Sequence, residues 1–290
     1  MLKEIMKTYK YKVEDELKTR LSRYDADEEI KNAMAYSLLG SGKRLRPILM
    51  LRTAKMLGIS EERVMPMACA LEMIHTYSLV HDDLPALDND TLRRGKATSH
   101  VVYGEANAIL VGDALLNFAM ETALDTKDAD KPEHYMKAVR FLFRCSGIHG
   151  MIGGQWLDIK FTGTFKSESE LENMHLKKTG ALFLAACLCP AISMDHEKQK
   201  DLEDFARFYG LLFQITDDIL DVTGQEELLG KSIGKDTISH KSTYVSMMGL
   251  EQSIKLAHEV AQNAKESLSM YGDKAAFHTQ LVDFVLKRKH

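Results

Sequence analysis

The chain has 290 residues, a net charge of −4 and a pI near 6.3, so it lacks the clustered excess of Lys and Arg with which a nucleic-acid binder holds phosphates. A hydrophobic share of 45% and a charged share of 28% supply an ordinary core and exclude a disordered chain.

The first segment, MLKEIMKTYKYKVEDELKTRL, is charged throughout and has no signal-peptide apolar run; it reads as a solvated amphipathic helix. Helical periodicity continues through Ile30, Met34 and Leu38, then Val64, Ala68, Leu71 and Ile74. It returns at Ala106, Ile109, Leu110, Ala114 and Leu115, and at Leu202, Phe205, Phe208, Leu212 and Ile215. Strand alternation is hardly seen, and Pro47, Pro66, Pro132 and Pro190 fit helix starts or breaks. The pattern predicts an all-α fold of about ten or more helices around a central cavity, with residues 1–290 as one domain.

The most apolar window, ALFLAACLCPAI, is shorter than the roughly 18 to 20 residues that cross a bilayer, so no membrane span is expected. Cys69, Cys145, Cys187 and Cys189 lie in apolar surroundings without metal-ligand spacing and read as buried thiols in a reducing, cytoplasmic setting.

Two acidic clusters interrupt this apolar background. In LVHDDLPALDND, Asp82, Asp83, Asp88 and Asp90 follow an apolar helix, and Pro85 ends that helix so that Asp88 swings back toward Asp82. His75, Ser78 and Asp82, spaced i, i+3, i+7, share one face. In FQITDDILDVTG, Asp217 and Asp221 share a helical face with Asp218 one step round. Acids this close within apolar sequence call for a cation, and Mg2+ bound with a phosphorylated ligand suits them better than Ca2+, whose EF-hand spacing is absent.

The basic residues answer this. GSGKRLRP departs from a P-loop but offers Lys43, Arg44 and Arg46 as a compact patch able to fork onto phosphate oxygens. LRRG adds Arg93 and Arg94, KKTG adds Lys177, Lys178 and Thr179, and GKSIGKDTISHK adds Lys231, Lys235 and Lys241. Together they suggest two diphosphates, one held through metal and one by cations directly.

In this order, GKRLRP, ALEMIHTYSLVHDDLPALDNDTLRRGKATSH, ILVGDALL, GGQWLD, KTGALF, FQITDDILD and LGKSIGKD resemble the trans-isoprenyl diphosphate synthases, most closely bacterial-type farnesyl diphosphate synthases. The resemblance implies an isoprenoid synthase fold and a homodimer that condenses isopentenyl diphosphate with allylic diphosphates to farnesyl diphosphate. It implies Asp82, Asp83, Asp88, Asp217, Asp218 and Asp221 as ligands of three Mg2+ ions, with Mn2+ as the alternative metal. Lys43, Arg46, His75 and Arg94 match its isopentenyl diphosphate site. Arg93, Lys178, Lys231 and Lys241 match contacts to the allylic diphosphate, and Thr179 and Gln214 match polar groups near the carbocation.

Tyr77, five residues before the first cluster, matches the floor that limits product length, with Ser78 sharing the role. Thr91 stands where the family often has a further Asp, and KATSH replaces KPTNH. The rivals are geranylgeranyl or geranyl diphosphate synthase, a terpene cyclase, which needs no second diphosphate site, and a non-catalytic subunit, which would lose an acidic cluster.

Overall fold

The first helix, α1 (Leu2–Arg23), shows how the fold is built: its buried Tyr9, Val13, Leu17 and Leu21 recur every fourth residue and seat one stripe while the rest stays wet. The computed structural model describes residues 2–126, 130–162, 167–197, 199–223 and 243–288. After α1 come α2 (Glu28–Leu38), N-capped by Asp27, α3 (Leu45–Met56), and α4 (Glu61–Asp82), N-capped by Ser60. A hairpin of β1 (Leu92–Arg93) and β2 (Lys96–Ala97) leads to α5 (Ser99–Tyr103) and α6 (Glu105–Leu124).

The chain continues through α7 (Pro132–Ser146), α8 (Met151–Phe161) and α9 (Glu168–His175). A π turn (Leu176–Gly180) runs directly into α10 (Ala181–Ser193), and α11 (Gln199–Thr223) follows. The last helices are α12 (Tyr244–Met248), α13 (Leu250–Glu266) and α14 (Ala276–Leu286).

Helices α4 and α10 are buried on nearly every side. The others wrap them: α6 packs along α4, while α3, α7 and α11 surround α10, and α13 backs α11. The result is the all-α architecture that the periodicity predicts.

Several details differ from the sequence reading. Pro47 and Pro132 do sit in first turns, but Pro66 and Pro190 lie inside α4 and α10. Each removes one amide from the helix ladder, a cost outweighed by burial of the surrounding helix. Joined through the π turn, Glu168–Ser193 makes a 26-residue helix, long and apolar enough to cross a membrane, yet 67% of its apolar window is buried. That burial marks a core helix. On α6 the inward residues are Ala108, Val111, Leu115, Phe118 and Ala119, whereas Ile109 and Leu110 are 45% and 55% exposed.

The short hairpin was not expected either. Its turn residues Arg94 and Gly95 both have positive φ, 53° and 76°, the pattern of a two-residue type I′ turn.

At the base of the core, His278 is fully buried with its Nε2 3.0 Å from the Thr53 hydroxyl. Burial first, then Arg52, pushes its pKa down to about 3. A histidine held neutral in the fold takes up its proton on unfolding, so its contribution to stability is complete above pH 6.5 and is lost as pH falls below that value. Between pH 6.5 and 5 the loss is about 2 kcal/mol. Denaturant unfolding of His278→Gln over this range is expected to show a pH slope smaller by about one proton; an unchanged slope would refute the assignment.

Candidate active site

The end of α4 turns as its sequence requires. The Asp88 amide donates to the Asp82 carbonyl at 2.8 Å, folding the LPALD segment back over the helix end. His75, Ser78 and Asp82 line one cavity of about 370 Å³, with Tyr77 at 5% exposure, Lys178 and Thr179 also on its walls. The remaining wall comes from α8 and includes Met151, Ile152, Gln155 and Trp156.

A second cavity, of about 470 Å³, adjoins the first and is lined by residues that include Lys43, Arg46, Arg94 and Arg288. Arg46 and His75 border both cavities. Arg46 Nη1 is 3.4 Å from His75 Nε2 and its guanidinium stacks on Phe183 at 4.6 Å. Since arginine only donates, His75 Nε2 accepts and its proton sits on Nδ1. Burial, then Arg46 and Arg94, holds His75 well below the usual histidine range, and burial brings Arg46 to about 10. The partition is therefore one cation beside one neutral imidazole.

Asp82 faces the apolar cavity. Burial pushes its carboxyl up to about 6, with Asp88 and Asp83 adding to the shift and Lys178 opposing it. Among the described residues its carboxylate accepts no hydrogen bond. Asp83 is different: it is 3% exposed and accepts from Arg93 Nε at 2.7 and 2.9 Å, with Arg93 Nη2 also at 2.5 Å. This fork engages both carboxylate oxygens of a residue that the resemblance assigns to the metal.

The second acidic cluster is likewise divided. Asp217 keeps a partly exposed carboxylate and pairs with Arg288 at 2.8 Å. Asp218 is 1% exposed and accepts from Gln214 Nε2 at 2.8 Å and from the Tyr244 amide at 2.9 Å, which removes it from the open face. Asp221 is buried at 6% exposure. Gln214 Oε1 in turn accepts from the Thr179 hydroxyl at 3.2 Å, so a chain of bonds from Tyr244 to Thr179 fixes the amide's orientation. Among the described residues no three His, Cys, Asp or Glu side chains converge as a self-sufficient metal site.

Arg44 also departs from expectation. It is 3% exposed and donates to Glu14 at 3.0 Å, to Glu72 at 2.8 Å and to the Gly40 carbonyl at 2.6 Å. All three of its nitrogens are engaged, so it braces the loop that carries Lys43 and Arg46 rather than forking onto a ligand. Arg94 Nη1 donates to the Ser41 carbonyl at 2.7 Å, tying the hairpin to that loop. Lys231 and Lys241, with Lys235, lie outside the described residues.

Lys178 sits in the π turn, the kind of widened turn common at functional sites. Its ammonium donates to Asp158 at 2.6 Å. Asp158, Gln155 and Arg288 were missed by the sequence reading. The first two had a signal, being polar residues three apart in the otherwise apolar MIGGQWLDI; Arg288 reaches the site only through tertiary contact, donating to the Phe213 carbonyl and the Thr216 hydroxyl at 2.6 Å each.

A larger cavity of about 740 Å³ opens elsewhere, between α1, the start of α4 and the end of α6. Its charges largely satisfy one another, as in Arg20 with Glu16 at 2.8 Å and Asp125 at 2.9 Å, and neither aspartate cluster reaches it.

Residues 27–280 match the family model described as polyprenyl synthetase. The chain belongs to that family. It is 44% identical to the geranylgeranyl diphosphate synthase of Cyanophora paradoxa, covering 98% of this chain and 96% of that protein. To the farnesyl diphosphate synthase of Geobacillus stearothermophilus it is 39% identical, covering 97% of each. The crystal structure of a geranyltransferase from Legionella pneumophila superposes with a TM-score of 0.90 at 32% identity, covering 99% of this chain and 98% of that one. The polyprenyl synthetase is thus a trans-prenyltransferase with a single-domain isoprenoid synthase fold.

Proposed function

We propose that this polyprenyl synthetase condenses isopentenyl diphosphate with dimethylallyl and then geranyl diphosphate to release (2E,6E)-farnesyl diphosphate, with residues 1–290 acting as one catalytic domain. The observation that carries this reading is the pair of cavities that share Arg46 and His75: an apolar one headed by Asp82 and Lys178, and a cationic one headed by Lys43 and Arg94. Two diphosphates fit this division, and a terpene cyclase has no use for the second.

The donor set fits Mg2+. Asp82 presents hard carboxylate oxygens to the apolar cavity, its carboxyl pushed up by desolvation, and Asp88 follows at the same helix end, its amide bonded to the Asp82 carbonyl. Asp82, Asp88 and Asp217 would hold the ions, with Asp221 supporting and diphosphate oxygens completing the shell. Bound there, the metal supplies Lewis-acid neutralisation of charge growing on the leaving diphosphate.

The chain's own groups carry the rest. Arg93 and Lys178 hold the allylic diphosphate, which leaves with the C–O electron pair and generates the allylic cation. Thr179 and Gln214 offer fixed oxygen dipoles to that cation, and the apolar walls exclude water that would trap it as an alcohol. Lys43, Arg46, Arg94 and His75 present isopentenyl diphosphate so that its double bond attacks the cation. The resulting tertiary cation loses a proton to the released diphosphate, the base that ionisation itself creates beside it.

Tyr77 forms the floor, about 7.5 Å below Asp82 at the helical rise, with Ser78 at its edge. The exposed apolar stripe of α5 and α6, including Val101, Val102, Ile109 and Leu110, is the face on which a homodimer is proposed. Four buried free cysteines accord with a cytoplasmic setting.

The 44% identity to a geranylgeranyl diphosphate synthase favours a second reading, in which the same site adds one more unit. Product analysis tests both: purified protein with Mg2+, labelled isopentenyl diphosphate and either dimethylallyl or geranyl diphosphate is expected to yield a fifteen-carbon diphosphate from each primer. A twenty-carbon product would favour the second reading, and no elongation from either primer would refute prenyl transfer by this chain.

A further inference from the structure

Beyond the residues already assigned, α8 holds a carboxylate with a defined partner in the apolar cavity. Asp158 is 9% exposed and its Oδ2 accepts from Lys178 Nζ at 2.6 Å. The contact is imposed by the backbone. A Cβ on Gly154 would fall 2.1 Å from the Lys178 amide nitrogen and 2.5 Å from its Cα, so only glycine lets α8 approach the π turn this closely. Asp158 lies one helical turn beyond Gly154 and is thereby brought alongside the Lys178 side chain.

The pairing settles a competition. Lys178 faces Asp82 across the cavity, and of the charges around Asp82 it acts on that carboxyl most strongly. A lysine stem has four flexible carbons and about 2 kcal/mol of rotamer entropy. Released, its ammonium would be drawn toward Asp82, which lines the same cavity. Asp158 supplies an alternative anion from α8 while leaving the ammonium two further protons to donate. His175, one turn before Lys178, is held neutral at a pKa of about 4 by burial, so it brings no rival charge.

We propose that Asp158 is a positioning residue: it anchors Lys178 against α8, away from Asp82, so that both groups are available to an allylic diphosphate. This deepens the proposed function and rests on it.

The test measures two quantities on the full chain: equilibrium binding of the thiolo analogue of dimethylallyl diphosphate, which needs no turnover, and KM for each substrate. Asp158→Ala is expected to weaken analogue binding and raise the allylic KM about tenfold, the scale of one charge-assisted hydrogen bond, with the isopentenyl diphosphate KM within about twofold. Asp158→Glu should recover part of the loss. On a Lys178→Ala background the Asp158→Ala change should cost less than about twofold, because its route of action is gone.

An equal loss on both backgrounds, or an unchanged allylic KM, would overturn the proposal. Should Asp158→Ala fail to fold, Asp158→Asn removes the charge at constant size and is read by the same comparison. Wild-type protein that binds the analogue yet transfers no prenyl group would overturn the proposed function instead, leaving the binding comparison to judge the role of Asp158.

Discussion

Tyr77→Ala is expected to move the main product from fifteen to twenty carbons and no further. Tyr77 is buried in the wall of the apolar cavity, with its ring edge-on to His81 at 5.8 Å between centroids. Truncating it opens the cavity downward along α4 to Ile74 and Met73, both fully buried. These lie three and four residues lower, about 4.5 to 6 Å at the helical rise, comparable to the length of one five-carbon unit. The growing chain should gain one unit and then meet the next floor.

Tyr77→Phe separates ring size from the hydroxyl. Among the described residues the buried Tyr77 hydroxyl has no hydrogen-bond partner, and burial, with Asp82 second, pushes its pKa up to about 12. Removing a buried group that makes no bond costs nothing in pairing, so the Phe variant should keep both stability and a fifteen-carbon product. Chain-length analysis by chromatography checks both variants. A fifteen-carbon product from Tyr77→Ala with normal turnover would remove Tyr77 from the role.

This expectation does not conflict with the higher identity to a geranylgeranyl diphosphate synthase. Identity averages over the whole chain, whereas the proposed length limit rests on the side chain at one turn of one helix. The chemistry common to both products depends on the parts the two relatives share.

Much of this was legible because it depends on local sequence. Four-residue spacing gave α1 its buried stripe, continuous apolar sequence identified α4 as central, and Pro85 marked the turn that returns Asp88 to Asp82. What escaped depends on tertiary partners. Asp82 and Asp83 are adjacent in sequence, yet one faces a cavity and the other an arginine fork, a distinction that only the fold of the β1–β2 hairpin creates. Arg44 and Arg46 differ in the same way, since the buried Glu72 that takes Arg44 is on another helix. The exposed Ile109 and Leu110 mislead a reader of periodicity, because an apolar face left exposed has the same pattern in sequence as one packed into the core. Gly154 stood inside the matching GGQWLD segment, but its role there is a backbone contact with a segment some two dozen residues away, which no local pattern shows.

The same division of neighbouring aspartates sets the second large effect. Asp82→Asn is expected to lower kcat by about a thousandfold, the upper range for losing one group that stabilises charge in the transition state. Its carboxylate accepts no hydrogen bond among the described residues, so the amide leaves no broken pair behind and the fold should be unaffected. Asp83→Asn should behave differently. It breaks the bidentate pairing that aims Arg93, so its cost of about tenfold should appear mainly in the allylic KM and should vanish when Arg93 is already alanine. Steady-state kinetics of the single and double variants make the comparison. If the two aspartates lost kcat equally, Asp83 would share the cation with Asp82, and the Arg93 fork would have to open when substrate binds.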